Sequence, residues 1–335
     1  MKGRVLIVYC GGTIGMLPSA DGYVPMPGFA GRLHAHWDDG AEALPDYDLI
    51  ELEHLIDSAN LVPADWARIA GVVVEQWHNY DGFVLLHGTD TMAYTASALS
   101  FLLRGCDKPV ILTGSQIPLA QPRTDALDNL ATSLILAASG RVHEVCIYFR
   151  GRLLRGNRAR KVRSTGFDAF DSPNAPWLGE VGIDLHLRDD LLLPKGEPDF
   201  RIPVFDASRV AVLNVYPGMP ASLLDAVLAS PGLQGLVLAT YGVGNPPDAD
   251  KALMDSLQRA VQTGISVLNI SQCYQGQVSQ GAYATGAALN RIGVIPGNDL
   301  TPEAAFAKLH VLLALGYSGE RLAALLTRSL CGEQG

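Results

Sequence analysis

DGFVLLHGTDTMAYTASALSF, residues 81–101, changes its period in the middle. Residues 83–86 form a short apolar run between the turn-like Asp81-Gly82 and Gly88, which predicts a strand buried on both faces. After it, Met92, Ala93, Ala96, Leu99 and Leu103 recur at helical spacing. Thr89, Asp90 and Thr91 therefore fall at a strand-to-helix corner, where α/β proteins place their chemistry. The first turn of a helix offers unpaired N–H groups and a positive partial charge, which favour a small anionic ligand. Thr89 or Asp90 could instead be an ordinary N-cap. The corner has a counterpart, however: YCGGTIGM, residues 9–16, puts a second glycine-flanked threonine, Thr13, after the first apolar run of the chain.

Length and charge narrow the function classes. A chain of 335 residues is long enough for about two domains. Its 25 basic and 34 acidic residues give a net charge of −9, which argues against nucleic acid as the main partner. The five cysteines, at 10, 106, 146, 273 and 331, form no CxxC and no metal spacing, which suits a reduced, intracellular setting. Lys2 and Arg4 precede an apolar run at 5–10 that is too short for a signal sequence, and no stretch approaches the length of a membrane span. The expectation is a cytoplasmic protein with no membrane partner.

Working outward, strands are predicted at 5–10, 50–56, 83–86, 109–113 and 144–149, with helices at 63–79, from Met92 onward, and at 125–139. This alternation predicts a mostly parallel sheet whose strands end along one edge, so that loops 11–15, 57–60, 88–91 and 114–116 converge. The segment after Gly15 carries Pro18, Gly22, Pro25, Pro27 and Gly28 and reads as a long loop, with Tyr23 able to reach back toward Thr13. The near miss to GxGxxG at 10–15 raises a nicotinamide dehydrogenase, but no helix can start there to meet a pyrophosphate. His34, His36 and Asp38 could suggest a metal; a surface helix or loop is the plainer reading, and no metal is expected.

RGRLLRGNRARKVR, residues 150–163, gathers seven basic residues in an acidic chain, which reads as a solvated or subunit-facing patch. Lys161 is set apart by the turn-rich GFDAFDSPN that follows at 166–174 and by cations that favour the neutral amine a base requires. The proline-bearing stretch 191–208 reads as a linker between an N-terminal α/β domain at 1–190 and a C-terminal α/β domain at 209–335. In the latter, strands are predicted at 209–215, 236–240, 265–270 and 292–295, and helices at 221–229, 249–263, 302–315 and 320–327.

YCGGTIGM, HGTDTMAYT, GSQIPL, RGNRARK with GFDAFDSPN, YGVGN and GAYATG together resemble the bacterial type I, cytoplasmic L-asparaginases along nearly the whole chain. The resemblance implies a larger N-terminal domain with a mostly parallel sheet and a smaller Rossmann-like C-terminal domain, assembled as a homodimer or a dimer of dimers. It also implies hydrolysis of L-asparagine to L-aspartate and ammonia through a threonine acyl-enzyme, with no cofactor. By the same resemblance Thr13 is the nucleophile, Tyr23 its activator, and Thr89, Asp90 and Lys161 a second triad. Asp57, Ser58 and Ala59, with Thr89, Asp90 and Ser115, would bind the substrate. A non-catalytic amino-acid sensor of the same fold would need Asp57, Ser58 and Asp90 but neither Thr13 nor Lys161. Some relatives bind a second asparagine through an arginine and a segment ending in Gln-Cys. This chain keeps Ser271, Gln272 and Cys273 but has Ala239 in the arginine's place, so an effector site should be weak or absent.

Overall fold

The computed structural model describes residues 3–20, 22–37, 44–281 and 284–335. The chain separates into two compact units, Met1–Ile202 and Pro203–Gly335. No helix among the described residues is long and apolar enough to cross a membrane.

In the first unit the elements run β1 (Val5–Gly11), β2 (Met16–Ser19), β3 (Gly22–Pro25), α1 (Phe29–His36), β4 (Tyr47–Ile56), α2 (Pro63–Glu75), β5 (Gly82–Leu86), α3 (Met92–Leu102), β6 (Val110–Thr113), α4 (Ala126–Ala137), β7 (Val145–Phe149), β8 (Arg152–Arg155), β9 (Arg160–Lys161), β10 (Phe170–Asp171), β11 (Gly179–Val181) and β12 (Leu185–Leu187). The main sheet has the order β12-β11-β8-β7-β6-β5-β1-β4. From β4 to β7 neighbouring strands are parallel; β8, β11 and β12 extend the sheet antiparallel. β1, β5, β6 and β7 are buried along their whole length, as the unbroken apolar runs require. Val5, Ile7, Tyr9, Val84, Leu86 and Ile111 face a core shared with Phe29 and Leu33 of α1 and Leu130 and Leu134 of α4. Alternate strand residues point to the opposite face, where α3 packs against β6 and β7 and α2 packs on α3.

The second unit contains β13 (Val210–Asn214), α5 (Ala221–Leu228), β14 (Gly235–Thr240), α6 (Lys251–Gln262), β15 (Ser266–Ser271), α7 (Ala284–Ile292), β16 (Ile295–Pro296), α8 (Pro302–Ala314) and α9 (Gly319–Leu326). Its sheet, β13-β14-β15-β16, is parallel throughout. One face packs on α8 and α9 through Val237, Ala239, Leu268 and Ile270, the other on α5 and α6 through Leu236, Leu238 and Val267. The expected two-domain α/β architecture, a large mainly parallel sheet and a separate smaller parallel one, is thus the observed one.

Several local expectations are corrected. The segment after Gly15 is not a structureless loop: Met16 pairs with Pro25 and Pro18 with Tyr23 in a hairpin, and α1 follows from a left-handed Gly28. Prolines fit there because a two-stranded ribbon has free edges on both sides. The helix predicted over 63–79 ends at Glu75 and continues only as a short 3₁₀ turn, Trp77–Asn79. Ile292 closes α7 rather than opening a strand, because Gly293 takes the left-handed conformation that stops a helix. The arginines of 150–163 are not simply a solvated face. Arg155 pairs with the buried Glu144 at 2.5 Å, Arg158 is buried, and Arg152 lies over the Trp177 ring. Leu193 N–H donates to Glu144, and Asp199 and Arg201 N–H groups donate to the Arg104 and Leu102 carbonyls, so much of the proline-bearing stretch is tied to the first unit.

His310, buried in α8, lies near the rings of Phe205 and Phe306. Burial, with the Arg209 cation acting in the same direction, pushes its imidazole down to about 4. An unfolded histidine titrates near 6.5, so between about 6.5 and about 4 the unfolded chain binds a proton that the folded chain refuses. Stability should therefore fall on acidification through that window, by up to roughly 1.4 kcal/mol per pH unit from this group, and be unaffected by it above the window. Burial lowers His87 too, adding with the same sign. Urea unfolding at a series of pH values should record this slope, and His310→Leu should flatten it by about one proton.

Candidate active site

The C-terminal ends of β1, β4, β5 and β6 lie along one edge of the main sheet, and the corners leaving them are bonded to one another. Gly12 N–H donates to the Ile56 carbonyl (3.2 Å) and His87 N–H to the Thr113 carbonyl (2.9 Å), while the Thr91 hydroxyl donates to the Ser58 carbonyl (2.8 Å). A Cβ on Gly12 would collide with the backbone of His87 and Gly88, and a Cβ on Gly88 with the Ser58 side chain. Gly12 also has φ +84, in the left-handed region, so both its conformation and its neighbours demand glycine. The four expected loops therefore do converge.

Thr13 opens a 3₁₀ turn, Thr13–Gly15, closed by Gly15 N–H donating to the Gly12 carbonyl (3.2 Å); its side chain is half-buried at the site edge. Tyr23 lies on β3, 46% exposed. Its phenol oxygen accepts from the Gln121 side-chain amide, so it meets Gln121 here rather than Thr13.

Neither Thr89 nor Asp90 caps α3, whose N-cap is Thr91. Both are engaged by Lys161, whose Nζ donates to Thr89 Oγ1 at 2.8 Å and to Asp90 Oδ1 at 2.6 Å. Lys161 is delivered there by pairing with Phe170 of β10, so the turn-rich 166–174 segment does fold back on the lysine strand. Thr89 is buried, while Asp90 is largely exposed and open to a ligand.

Gln116, which the sequence reading passed over, completes this cluster. Its Nε2 donates to the Ser164 and Gly166 carbonyls (3.3 and 2.9 Å), which fixes the amide orientation and leaves Oε1 facing Thr89 Oγ1 at 3.4 Å. While Lys161 is an ammonium and donates to Thr89, the hydroxyl hydrogen of Thr89 has Gln116 as its acceptor. Asp125 holds this loop by accepting from the Gln116 and Ile117 N–H groups at 3.0 Å. Ser115, expected to face substrate, is fully buried and donates to the Ile117 carbonyl (2.6 Å). Its hydroxyl closes its own turn, and Gln116 is the residue of that loop that reaches the cluster.

Asp57 accepts from Ala59 N–H (3.2 Å), shaping the short turn Ser58–Asn60. Ser58 is buried against Gly88, and Ala59 is exposed. His87 is buried and kept neutral by desolvation. Its Nδ1 faces the Gly88 carbonyl (2.8 Å), so Nδ1 carries the hydrogen and Nε2 accepts from Thr95 (3.0 Å). The imidazole thereby braces the corner carrying Thr89.

His34 and His36 lie exposed in the last turn of α1; Asp38 lies outside the described residues. In the second unit, Ala239 is buried and its carbonyl accepts from the Gln272 side chain (2.8 Å), which also donates to the Val215 carbonyl (2.7 Å). Ser271 donates to the Gly242 carbonyl (2.6 Å) and accepts from Cys273 N–H (3.0 Å); Cys273 is exposed. Residues 282–283 of GAYATG lie outside the described residues.

Comparison with known proteins places these features in one family. Residues 4–192 match the family model described as "Asparaginase, N-terminal", and residues 209–326 match "Glutaminase/Asparaginase C-terminal domain". "L-asparaginase 1" of Escherichia coli strain K12 is 44% identical over 333 residues, covering 99% of this chain and 98% of the relative. The crystal structure of L-asparaginase I from Vibrio cholerae superposes with a TM-score of 0.91 at 42% identity, all of both chains being covered. The thermostable L-asparaginase from Thermococcus kodakarensis superposes with a TM-score of 0.89 at 31% identity, with 99% of each chain covered. Matched in both halves and along its full length, the chain belongs to the asparaginase family.

Proposed function

We propose that this chain is a cytoplasmic L-asparagine amidohydrolase, working without cofactor as a homodimer or dimer of dimers, and releasing L-aspartate and ammonia through a threonine acyl-enzyme. The observation that carries the reading is Lys161 Nζ within hydrogen-bond distance of both Thr89 and Asp90, on a corner in backbone contact with the loop bearing Thr13. A purely binding protein would need neither Lys161 nor Thr13.

In this mechanism Asp90 pairs with the substrate α-ammonium, and the Asp57–Ser58–Ala59 segment receives the α-carboxylate and α-ammonium. Thr13 Oγ attacks the side-chain amide carbon as its proton passes to the Tyr23 oxygen, which hands its own hydroxyl proton on to the substrate's amide nitrogen. The C–N bond breaks, ammonia leaves with that proton, and an ester to Thr13 remains. Backbone N–H groups at the glycine corners suit the developing oxyanion. Thr89, giving its proton toward Lys161 in neutral form, activates the water that opens the ester; aspartate leaves and Thr13 recovers its proton. The Tyr23–Gln121 contact means that the phenol must change partner to serve Thr13.

Thr13→Ala should lower kcat for asparagine by more than about 1,000-fold with the melting temperature preserved, because it removes the nucleophile but no core packing. Thr89→Ala and Lys161→Arg should each lose about 100-fold or more, the latter because a guanidinium does not deprotonate. Ammonia release from asparagine and from glutamine, measured side by side, checks these values; a Lys161→Arg enzyme of wild-type rate would exclude the proton-transfer role.

A second asparagine should find little purchase in the second unit. Ala239 has no charge for an effector carboxylate, and the loss of a charge-assisted hydrogen bond, about 1.5–3 kcal/mol, matches a typical whole coupling energy of about 1–3 kcal/mol. The rate should rise hyperbolically with asparagine. A sigmoidal curve abolished by changing Cys273 would be the contrary result.

A further inference from the structure

Arg32 of α1 belongs to none of the motifs above, yet its guanidinium holds both ends of the hairpin β2–β3. One terminal nitrogen donates to the Gly15 carbonyl (3.2 Å) before β2 and to the Met26 carbonyl (2.8 Å) after β3, and the other donates to the Pro27 carbonyl (2.7 Å). Backbone closes the same gap, Met26 N–H donating to the Gly15 carbonyl at 3.4 Å. Gly15 ends the 3₁₀ turn that begins at Thr13, and Tyr23 lies three residues before Met26. One planar fork of donors thus ties the end of the turn that Thr13 opens to the exit of the hairpin that carries Tyr23.

The arginine is itself held. Glu51 of β4 accepts from the first turn of α1, at Gly28 N–H (2.9 Å) and Ala30 N–H (3.3 Å), satisfying helix donors that lack intrahelical partners. Glu51 lies opposite Tyr9 in the β1–β4 ladder, and Tyr9 stacks on Phe29, the first residue of α1, with ring centroids 4.7 Å apart. The Arg32 guanidinium in turn lies 5.8 Å from the Phe29 ring centre. The clamp is therefore referenced to the rigid main sheet.

We propose that Arg32 is a positioning residue of the active site, its guanidinium tying the end of the Thr13 turn to the exit of the Tyr23 hairpin while Glu51 anchors the helix that bears it. The inference rests on the reading of Thr13 as nucleophile. All three acceptors are backbone carbonyls, so Arg32 works through main-chain placement and needs no particular side chain on the hairpin. Lysine, a point donor on a flexible stem, cannot span three carbonyls in this fan.

The test uses the full chain with Arg32→Ala, Arg32→Lys and Thr13→Ala beside the wild type, following ammonia release from asparagine and thermal unfolding. Both Arg32 variants should lose about tenfold or more in kcat with KM within about threefold, since the residues placed on the substrate's ionic groups lie off the hairpin. Millimolar guanidinium should recover part of the Arg32→Ala rate and leave Arg32→Lys, Thr13→Ala and wild type unchanged. An Arg32→Lys rate within about twofold of wild type, or a folded, slow Arg32→Ala that guanidinium does not recover, overturns the clamp. If Arg32→Ala does not fold, the Arg32→Lys rate decides alone. A Thr13→Ala variant of near wild-type rate overturns the nucleophile reading and the clamp with it; an inactive Thr13→Ala beside a fully active Arg32→Lys overturns the clamp only.

Discussion

Gly12 and the His87–Gly88 peptide approach more closely than any side chain at position 12 would allow, and the rest of the site follows from that contact. In parallel strands side by side, the loops leaving β1 and β5 emerge at the same level, because Val5 to Tyr9 pair in register with Gly82 to Leu86. Register alone would leave two corners separated by their side chains. Glycine on both removes that separation, and Ser58 fits against Gly88 from the third corner. Two threonines more than seventy residues apart in the chain thus each follow directly on a glycine of that one contact.

The Thr89 corner is held differently from the Thr13 corner. Thr89 is held on three sides: by the Lys161 ammonium, by the Gln116 amide and by a backbone braced by neutral His87. Its hydroxyl hydrogen has a defined direction because the Gln116 amide is locked by two carbonyls of the segment following Lys161. Thr13 and Tyr23 instead belong to a short turn and a partly exposed hairpin fixed mainly at its base.

Much of this was legible in the sequence because apolar period and glycine placement are local signals. The β5–α3 corner, the parallel order of the central strands and the delivery of Lys161 by 166–174 each follow from a few adjacent residues. What escaped is non-local. Gln116 contacts Thr89 and the 164–166 carbonyls, Arg32 contacts Gly15, and Glu144 receives Arg155 and Leu193 N–H; no pattern within a helix turn or a strand announces such pairings. The hairpin β2–β3 was hidden by prolines that are compatible with an isolated two-stranded ribbon. Strands β11 and β12, three residues each, are too short to display a period. Gln116 was hidden for a similar reason: which polar side chain of this loop meets Thr89 is set by the turn, and Asp125 holds that turn from nine residues away.

Two lysine–carboxylate pairs in this chain separate structure from chemistry. Lys308 and Glu333 meet at 2.6 Å with both side chains fully buried. Burying two charges costs several kcal/mol per ion, and here the remaining hydrogen-bonding capacity is filled. Lys308 also donates to the Leu326 and Arg328 carbonyls, and Glu333 accepts from the Leu330 and Cys331 N–H groups. With its hydrogen bonds filled by protein and both side chains buried, that pair fastens the end of α9 and the segment after it to α8. Lys161 and Asp90 meet at the same 2.6 Å, but Asp90 is 59% exposed and the lysine's other partner is a hydroxyl. An exposed carboxylate can exchange its lysine for a ligand cation at little desolvation cost, and a hydroxyl can give up a proton where a backbone carbonyl cannot. The distance is the same in both pairs; solvent access and the third partner are what make one of them a lock and leave the other able to react.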